Sequence, residues 1–438
     1  MGYPSYDSYD STLAPWLNKK PSAWEERKLK FCVDLINEKI TAKNSDLAFM
    51  GLEHIESWTG KRVSDPNSQS EGVATKFKPN DVLFGKLRPY LAKVYKAEHE
   101  GLATTEALIL RCNNDIEPDF LKYYLLSSEF IDVVDGSTYG SKMPRANYEF
   151  IGNLSILVPN NDKQTQIAKF LDYKTAQIDR LIEKKKALIE KLSEQRIAMI
   201  TQAVTKGLNP DAPMKDSEVD WLGEVPEHWI VSKLKYVTNQ IIDGAHFTPT
   251  YVSEGVPFLR VTDIVKSGGK AIDLNGVKLI PIQEHADLIK RCKPEKGDIL
   301  YSKNGTIGIP RVIDWDWDFS IFVSLSLLKT EKDKINSHYL AYYLTSKVTQ
   351  NQIEIGAKSN TVTNLHLDKI KEFIITLPSL DEQGEIVEKL DFDIKKINNM
   401  LDVNNQTIEK LNEYRTALIT AAVTGKIDVR EVNVPEGF

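Results

Sequence analysis

Cysteine and histidine are scarce in this chain. There are 3 cysteines, Cys32, Cys112 and Cys292, and 7 scattered histidines among 438 residues. The cysteine spacing fits neither a disulfide framework nor a zinc site, and no His-Glu-x-x-His pair occurs. The thiols are expected to be ordinary buried or half-buried groups. No apolar run approaches the roughly 20 residues that span a bilayer. Met1 to Asp10 is polar and rich in Tyr and Ser, without the charged-then-apolar order of a secretory signal, so the expected location is the cytoplasm. A Gly-x-x-x-x-Gly-Lys-Ser/Thr phosphate loop is also missing. Asn209-Pro210-Asp211-Ala212 is not the Asn-Pro-Pro-aromatic string of an amino-methyltransferase. Asn304-Gly305-Thr306-Ile307-Gly308 is too short for a dinucleotide fingerprint and reads as a turn. These absences argue against an enzyme: no catalytic residue, metal or cofactor is expected on the chain itself.

Positive charge is not in excess either. Lys and Arg number 56 against 62 Asp and Glu, a formal net charge of -6. That argues mildly against a nucleic-acid partner, because neutralising phosphates needs cations. A sum says nothing of distribution, however, and an acidic chain can still present local basic faces. Hydrophobic residues make up 41%, enough for real cores. The length suggests two or three domains at roughly 150 residues each.

What the sequence does have is a duplication. Trp16-Leu17, Pro21, Trp24 and Lys28-Leu29-Lys30 recur as Trp221-Leu222, Pro226, Trp229 and Lys233-Leu234-Lys235, an offset of 205 (221 − 16). Phe49 to Ile55 loosely matches Phe258 to Ile264, offset 209 (258 − 49). Asp81 to Lys86 matches Asp298 to Lys303, offset 217 (298 − 81). Tyr123-Tyr124-Leu125 matches Tyr342-Tyr343-Leu344, and Pro159 matches Pro378, both at 219 (378 − 159). The offset grows early in the repeat and is constant afterwards. Insertions collect in loops, where length costs little. Each copy therefore reads as a globular domain with adaptable loops, followed by a spacer of fixed length.

The spacer is helical by pattern. Residues 162–205 contain no Pro and no Gly, and Ile167, Phe170, Leu171, Ile178, Leu181, Ile182, Leu188, Ile189, Leu192 and Met199 fall on one stripe. Asp162 is the expected N-cap, with Gly207 and Pro210 ending the run. Glu183-Lys184-Lys185, which resembles half of a nuclease motif, falls inside it and reads as a solvated face. Residues 381–424 repeat the stripe, with Ile386, Leu390, Ile394, Ile397, Leu401, Ile408, Leu411 and Leu418. Each helix is expected to be roughly 60–65 Å long at 1.5 Å per residue. So extended a stripe calls for a partner. The expected partner is the other copy, in an antiparallel coiled coil. The competing reading packs each helix on its own globular domain. Because the Trp16 to Trp24 segment opens the chain while its twin follows the first helix, the C-terminal helix should lead back to the N-terminal segment.

These residues resemble a known family, the specificity (S) subunits of type I restriction-modification enzymes. Asp216 to Trp229 looks like the family's linker after its first long helix. Asp243-Gly244-Ala245-His246-Phe247-Thr248-Pro249, followed by Gly255 to Ile264, looks like the start of a target-recognition domain. Gly85 to Lys93 and Lys296 to Lys303 look like its mid-domain strand, and Leu377 to Gln383 like the entry to its second conserved helix. The strings occur in order, in duplicate, over nearly the whole chain. The first recognition domain departs from the pattern: it has no Asp-Gly-x-His string.

The resemblance implies an α+β fold with two tandem α/β target-recognition domains separated by two long helices, antiparallel, pseudo-two-fold and cyclically arranged. The expected segments are 1–24 (pairing with the C-terminal helix), 25–158 (first recognition domain), 159–208 (first helix), 209–230 (linker), 231–378 (second recognition domain), 379–425 (second helix) and 426–438 (tail). It further implies a non-catalytic subunit that reads an asymmetric, two-part site on double-stranded DNA. Two methyltransferase (M) subunits carrying S-adenosylmethionine and two restriction/translocase (R) subunits using ATP are the implied partners.

Base reading needs bidentate donors for guanine or amides for adenine. Lys86, Arg88, Arg260, Lys303 and Asn304 have that chemistry beside the repeated strand motifs. Two Gly-led polar loops occupy equivalent places before each domain's final strand: Gly140 to Arg145, offering Lys142 and Arg145, and Gly356 to Thr361, offering Lys358, Asn360 and Thr361. For each residue singly, a surface charge or a turn is the competing reading. His246 is open between a DNA contact and a hydrogen bond within its own turn. The paired tyrosines read as core. Two other functions compete: a self-contained DNA methyltransferase recognition chain, disfavoured by the missing motifs, and a coiled-coil scaffold that never touches DNA, disfavoured by the duplicated basic loops.

Overall fold

The computed structural model describes residues 2–14, 16–42, 45–63, 72–140, 142–355 and 364–435. Two compact units result: Met1–Lys186 with Asn404–Phe438, and Ala187–Val403. Each unit holds one globular domain together with part of each long helix.

The same sheet is built twice. In the first unit, antiparallel strands run in the order Val33–Ile36, Ala107–Cys112, Val82–Gly85, Val94–Lys96. In the second, the order is Thr238–Asp243, Leu325–Thr330, Ile299–Ser302, Pro310–Val312. The repeated motif supplies the strands Val82–Gly85 and Ile299–Ser302, buried at every position. That is what a short continuous apolar run needs when it is covered on both faces. A smaller sheet in each unit carries one parallel pair: Phe49 opposite Leu102, and Phe258 opposite Ser320. Tyr123, Tyr124 and Tyr343 are buried in the cores, while Tyr342 is half-buried against the second one.

The spacer stretches are the helices Asn161–Lys206, of 46 residues, and Leu380–Val423, of 44. At 1.5 Å per residue they are about 69 and 66 Å long. Their N-cap is not Asp162. Asn160 Oδ1 accepts from Lys163 N at 3.0 Å, and at the twin position Ser379 Oγ accepts from Glu382 N at 3.2 Å. Asp162 sits two residues too far in to cap, and from there its charge favours the helix dipole instead. Gly207 and Gly425 follow the two helices with φ of +75° and +70°, the left-handed turn that glycine adopts without strain.

The two helices pack together, antiparallel. In the first unit, Ile178 and Ile182 of the first helix share a core with Leu418 and Ile419 of the second. In the second unit, Ile200 and Val204 of the first helix share a core with Ile386 and Leu390 of the second. Both helices also grip the globular domains. Ser128 N donates to Thr420 Oγ1 at 2.9 Å, and Lys347 N to Thr201 Oγ1 at 3.0 Å. Pairing with each other and packing on a domain are therefore compatible. In the first unit the N-terminal segment meets the end of the second helix: Tyr9 Oη donates to Gly425 O at 2.9 Å and Asp428 N to Pro4 O at 2.7 Å. Among the described residues, no helix is long and apolar enough to cross a membrane.

Candidate nucleic-acid interface

A common backbone frame carries the candidate residues in both domains. In the first, Lys86 follows the buried strand, its N–H donating to Glu106 O (2.9 Å) and its carbonyl accepting from Ala146 N (2.9 Å). In the second, Lys303 N donates to Ser324 O (2.9 Å) and Lys303 O accepts from Leu365 N (2.8 Å). Leu87 then bridges Arg145, as Asn304 bridges Asn364. Loops far apart in sequence are thus stitched together at one edge of each sheet.

In the first domain the stitching gathers four predicted donors. Lys86 and Arg145 line a cleft of about 410 Å³ together with Asn37, Lys39, Tyr139 and Asn147. Arg88 N donates to Pro144 O at 2.8 Å, which ties it to the loop that carries Lys142. Arg88 and Lys142 are exposed and Lys86 is half-buried. Arg88 has φ +51°, a left-handed conformation uncommon outside glycine. Arg145 is not loose: its Nε and Nη2 meet the two oxygens of Glu106 at 3.0 and 3.1 Å. A planar fork on both oxygens of a carboxylate fixes the guanidinium's orientation.

The second domain places its charges differently on the same frame. Ser324 and Asn364 stand where Glu106 and Arg145 stand in the first. Strand pairing sets Ile242 opposite Leu327 and Ile36 opposite Ile109, so Asp243 stands where the first domain has Asn37. Lys303 is buried, its Nζ 3.0 Å from Asp243 Oδ2. Its ammonium is turned onto that carboxylate and away from the surface. His246 bonds within its own turn, Nε2 lying 3.0 Å from Asp243 Oδ1, and its ring stays exposed. Arg291, which the sequence reading did not single out, joins them, its Nη2 donating to Asp243 Oδ1 at 2.8 Å. Burial would raise the Asp243 carboxyl, but hydrogen bonds from Arg291, His246 and Lys303 outweigh it and hold the group far below the usual carboxylate range. Arg260 forks onto Asp263 at 3.2 and 3.1 Å. Asn304 is half-buried. Lys358, Asn360 and Thr361 lie outside the described residues. No cluster of three or more metal-ligating side chains occurs among the described residues.

Arg291 was missed because its partner lies 48 residues back in the chain (291 − 243). It also sits in a stretch that the first repeat does not match. An Arg-Cys pair closing a short helix carries no motif that would flag it.

Comparison with known proteins fits this architecture. The family description "Type I restriction modification DNA specificity domain" matches residues 21–191 and 226–413. The MjaVIII type I restriction enzyme specificity subunit of Methanocaldococcus jannaschii is 25% identical over 343 residues, 76% of each chain. The EcoBI specificity subunit of Escherichia coli is 26% identical over 207 residues, 46% of this chain and 43% of that one. A solved chain from work on complex assembly and conformational transition of the type I R-M system superposes with a TM-score of 0.69. It is 18% identical and covers 93% of this chain and 99% of its own, a likeness of fold. With the family pattern matched in both repeats, the chain belongs to the type I restriction-modification DNA specificity family, as a recognition subunit that is not itself the enzyme.

Proposed function

We propose that this subunit reads an asymmetric DNA target in two unlike halves, one per recognition domain. On this reading the paired helices set the interval between the halves. The observation that carries it is the shared frame with exchanged charges. Glu106 with Arg145 and Asn37 with Lys86 in one domain become Ser324 with Asn364 and Asp243 with Lys303 in the other. Duplicated backbone supports two equivalent docking events. Diverged side chains on that backbone support two different sequences. Methyl transfer and cleavage fall to partner chains: two M subunits with S-adenosylmethionine and two R subunits with ATP. The long helices, anchored to the domains at twin threonines, offer those partners a duplicated platform.

The test is to co-express the chain with its genomic neighbours, purify what associates, and sequence the methylome of the strain. The expected result is adenine methylation at two short, unrelated motifs with a fixed unread gap. A single continuous motif, or no change in methylation when the chain is deleted, overturns the proposal.

A further inference from the structure

Asp243 organises a cationic corner on the second domain. Its carboxylate, only 4% exposed, holds Arg291, Lys303 and His246 at 2.8 to 3.0 Å. Arg291 Nη1 donates further to Asp243 O at 2.9 Å and Gly244 O at 3.2 Å. Three of the guanidinium's five N–H groups are thereby spent on one turn, leaving Nε–H and one Nη2–H. The turn is packed against the neighbouring strand: Ala245 N donates to Ile321 O at 2.9 Å, and a Cβ on Gly244 would lie 2.0 Å from the same oxygen. Two permanent cations against one carboxylate leave net positive charge, yet Lys303 is buried and only Arg291 and His246 reach solvent, with side chains 53% and 63% exposed. At the equivalent place in the first domain Asn37 replaces the carboxylate, and Lys86 faces a cleft instead.

We propose that Arg291 and His246, fixed by Asp243, form a phosphate anchor that positions the duplex on the second domain. The inference rests on the DNA-reading function proposed above and assigns this corner to the DNA backbone. A base reader meets a base plane with a free pair of donors, as the Nη1 edge of Arg145 offers beyond its Glu106 fork; in Arg291 that edge is turned onto two carbonyls. Arg291 is tied to carboxylate and main chain and presents a fixed charge. A fixed charge suits a phosphate, whose contact sets register without reading sequence.

The test uses the full chain with its associated partners. Affinity for the cognate duplex is measured against salt, for wild type, Arg291→Ala and Arg291→Gln, the last still able to donate to Asp243. It is measured again on duplexes altered at each base pair of the second half-site. Both variants should bind every duplex more weakly by the same factor, and the slope of log affinity against log salt should shrink by about one unit. A neutral methylphosphonate at one backbone position should remove the difference between wild type and variant. Loss confined to one base pair would make Arg291 a base reader and overturn the anchor. Unchanged affinity and slope in either variant would overturn it too, leaving the proposed function standing. If the wild-type assembly showed no preference for any duplex, both would fall together.

Discussion

Arg415 Nε, on the second long helix, lies 3.3 Å from Asp179 Oδ1 on the first. Stepping each residue by the constant repeat offset of 219 gives the same pairing in the other unit: Arg196 Nη1 donates to Asn398 Oδ1 at 3.0 Å. Both pairs total 594 (179 and 415, 196 and 398), so the antiparallel register is the same in each unit. The chemistry differs. Arg415 is buried and also donates to Thr59 O at 2.9 Å, while Lys61 Nζ holds the other oxygen of Asp179 at 2.7 Å. Arg196 and Asn398 meet at the surface.

Arg415→Ala should therefore destabilise the first unit by about 3 kcal/mol, since breaking a buried pair leaves an under-compensated carboxylate behind. Arg196→Ala should cost about 0.5 kcal/mol or less, as exposed substitutions do. Denaturant melts of the two variants should separate clearly. Equal midpoints would mean that the buried pair contributes nothing special.

The glycines that end the helices give a second contrast. A Cβ on Gly425 would lie 2.4 Å from Pro21 Cγ, whereas on Gly207 the nearest atom, Trp229 Cζ2, is 3.3 Å away. Both alanine variants carry the left-handed strain of about 1–2 kcal/mol. Gly425→Ala must in addition displace the N-terminal segment from the end of the second helix. It should melt lower than Gly207→Ala and expose residues near Pro21 to protease. Identical melting and cleavage patterns would show that the N-terminal segment is not seated there.

The repeat made much of this fold legible. The constant offset located both helices, and the mid-domain strand, the buried Tyr124 and Tyr343 and the Gly207 stop fell where the pattern put them. The N-cap was misplaced by two residues because Asp162 and Asn160 are both good cap formers, and only backbone geometry separates them. The interface was legible as a neighbourhood and not as a set of roles. Sequence flags a cation by type, but Lys303 finds Asp243 sixty residues back (303 − 243), and Arg145 finds Glu106 only through a loop closure. Arg260 with Asp263 and His246 with Asp243 are the exceptions, each pair three residues apart and readable in principle.

In the cleft of the first domain Glu106 holds Arg145 by Nε and Nη2, which orients its outer Nη1 edge for a base. Arg145→Ala should cost about 1–3 kcal/mol of cognate DNA binding and relax the choice of base in the first half-site alone. Competition between duplexes altered in one half or the other reads this out. An equal loss of discrimination in both halves would sink the assignment.

Acid should weaken the second unit through Asp243. Burial opposes its ionisation, but its three partners hold the folded-state pKa well below the ordinary value of 3.8. A depressed carboxylate contributes stability that is fully present above the unfolded pKa and is lost as pH falls through the folded one. Its contribution should thus be intact at pH 5 and above and fade below about pH 4. Asp243→Asn should lower stability at neutral pH and flatten that acid limb in pH-dependent melts. A variant whose acid limb matched wild type would show that other carboxylates govern it.

The helices make the last prediction, because their length is the one dimension the repeat holds constant. If the pair is the ruler between half-sites, adding about one turn to both helices should lengthen the gap and spare the motifs. Suitable points are after Ala187 and after Gln406, equivalent places in the two repeats (406 − 187 = 219), which leave the anchoring Thr201 and Thr420 with their domains. Four residues add roughly 6 Å, or one to two base pairs at about 3.4 Å each. The insertion nearly preserves the phase of the apolar stripe, so the pairing should survive it. Methylome sequencing of a strain carrying the lengthened chain should find both half-site sequences unchanged and the gap wider. An unchanged gap with both motifs still methylated would mean that something other than the helices sets the spacing.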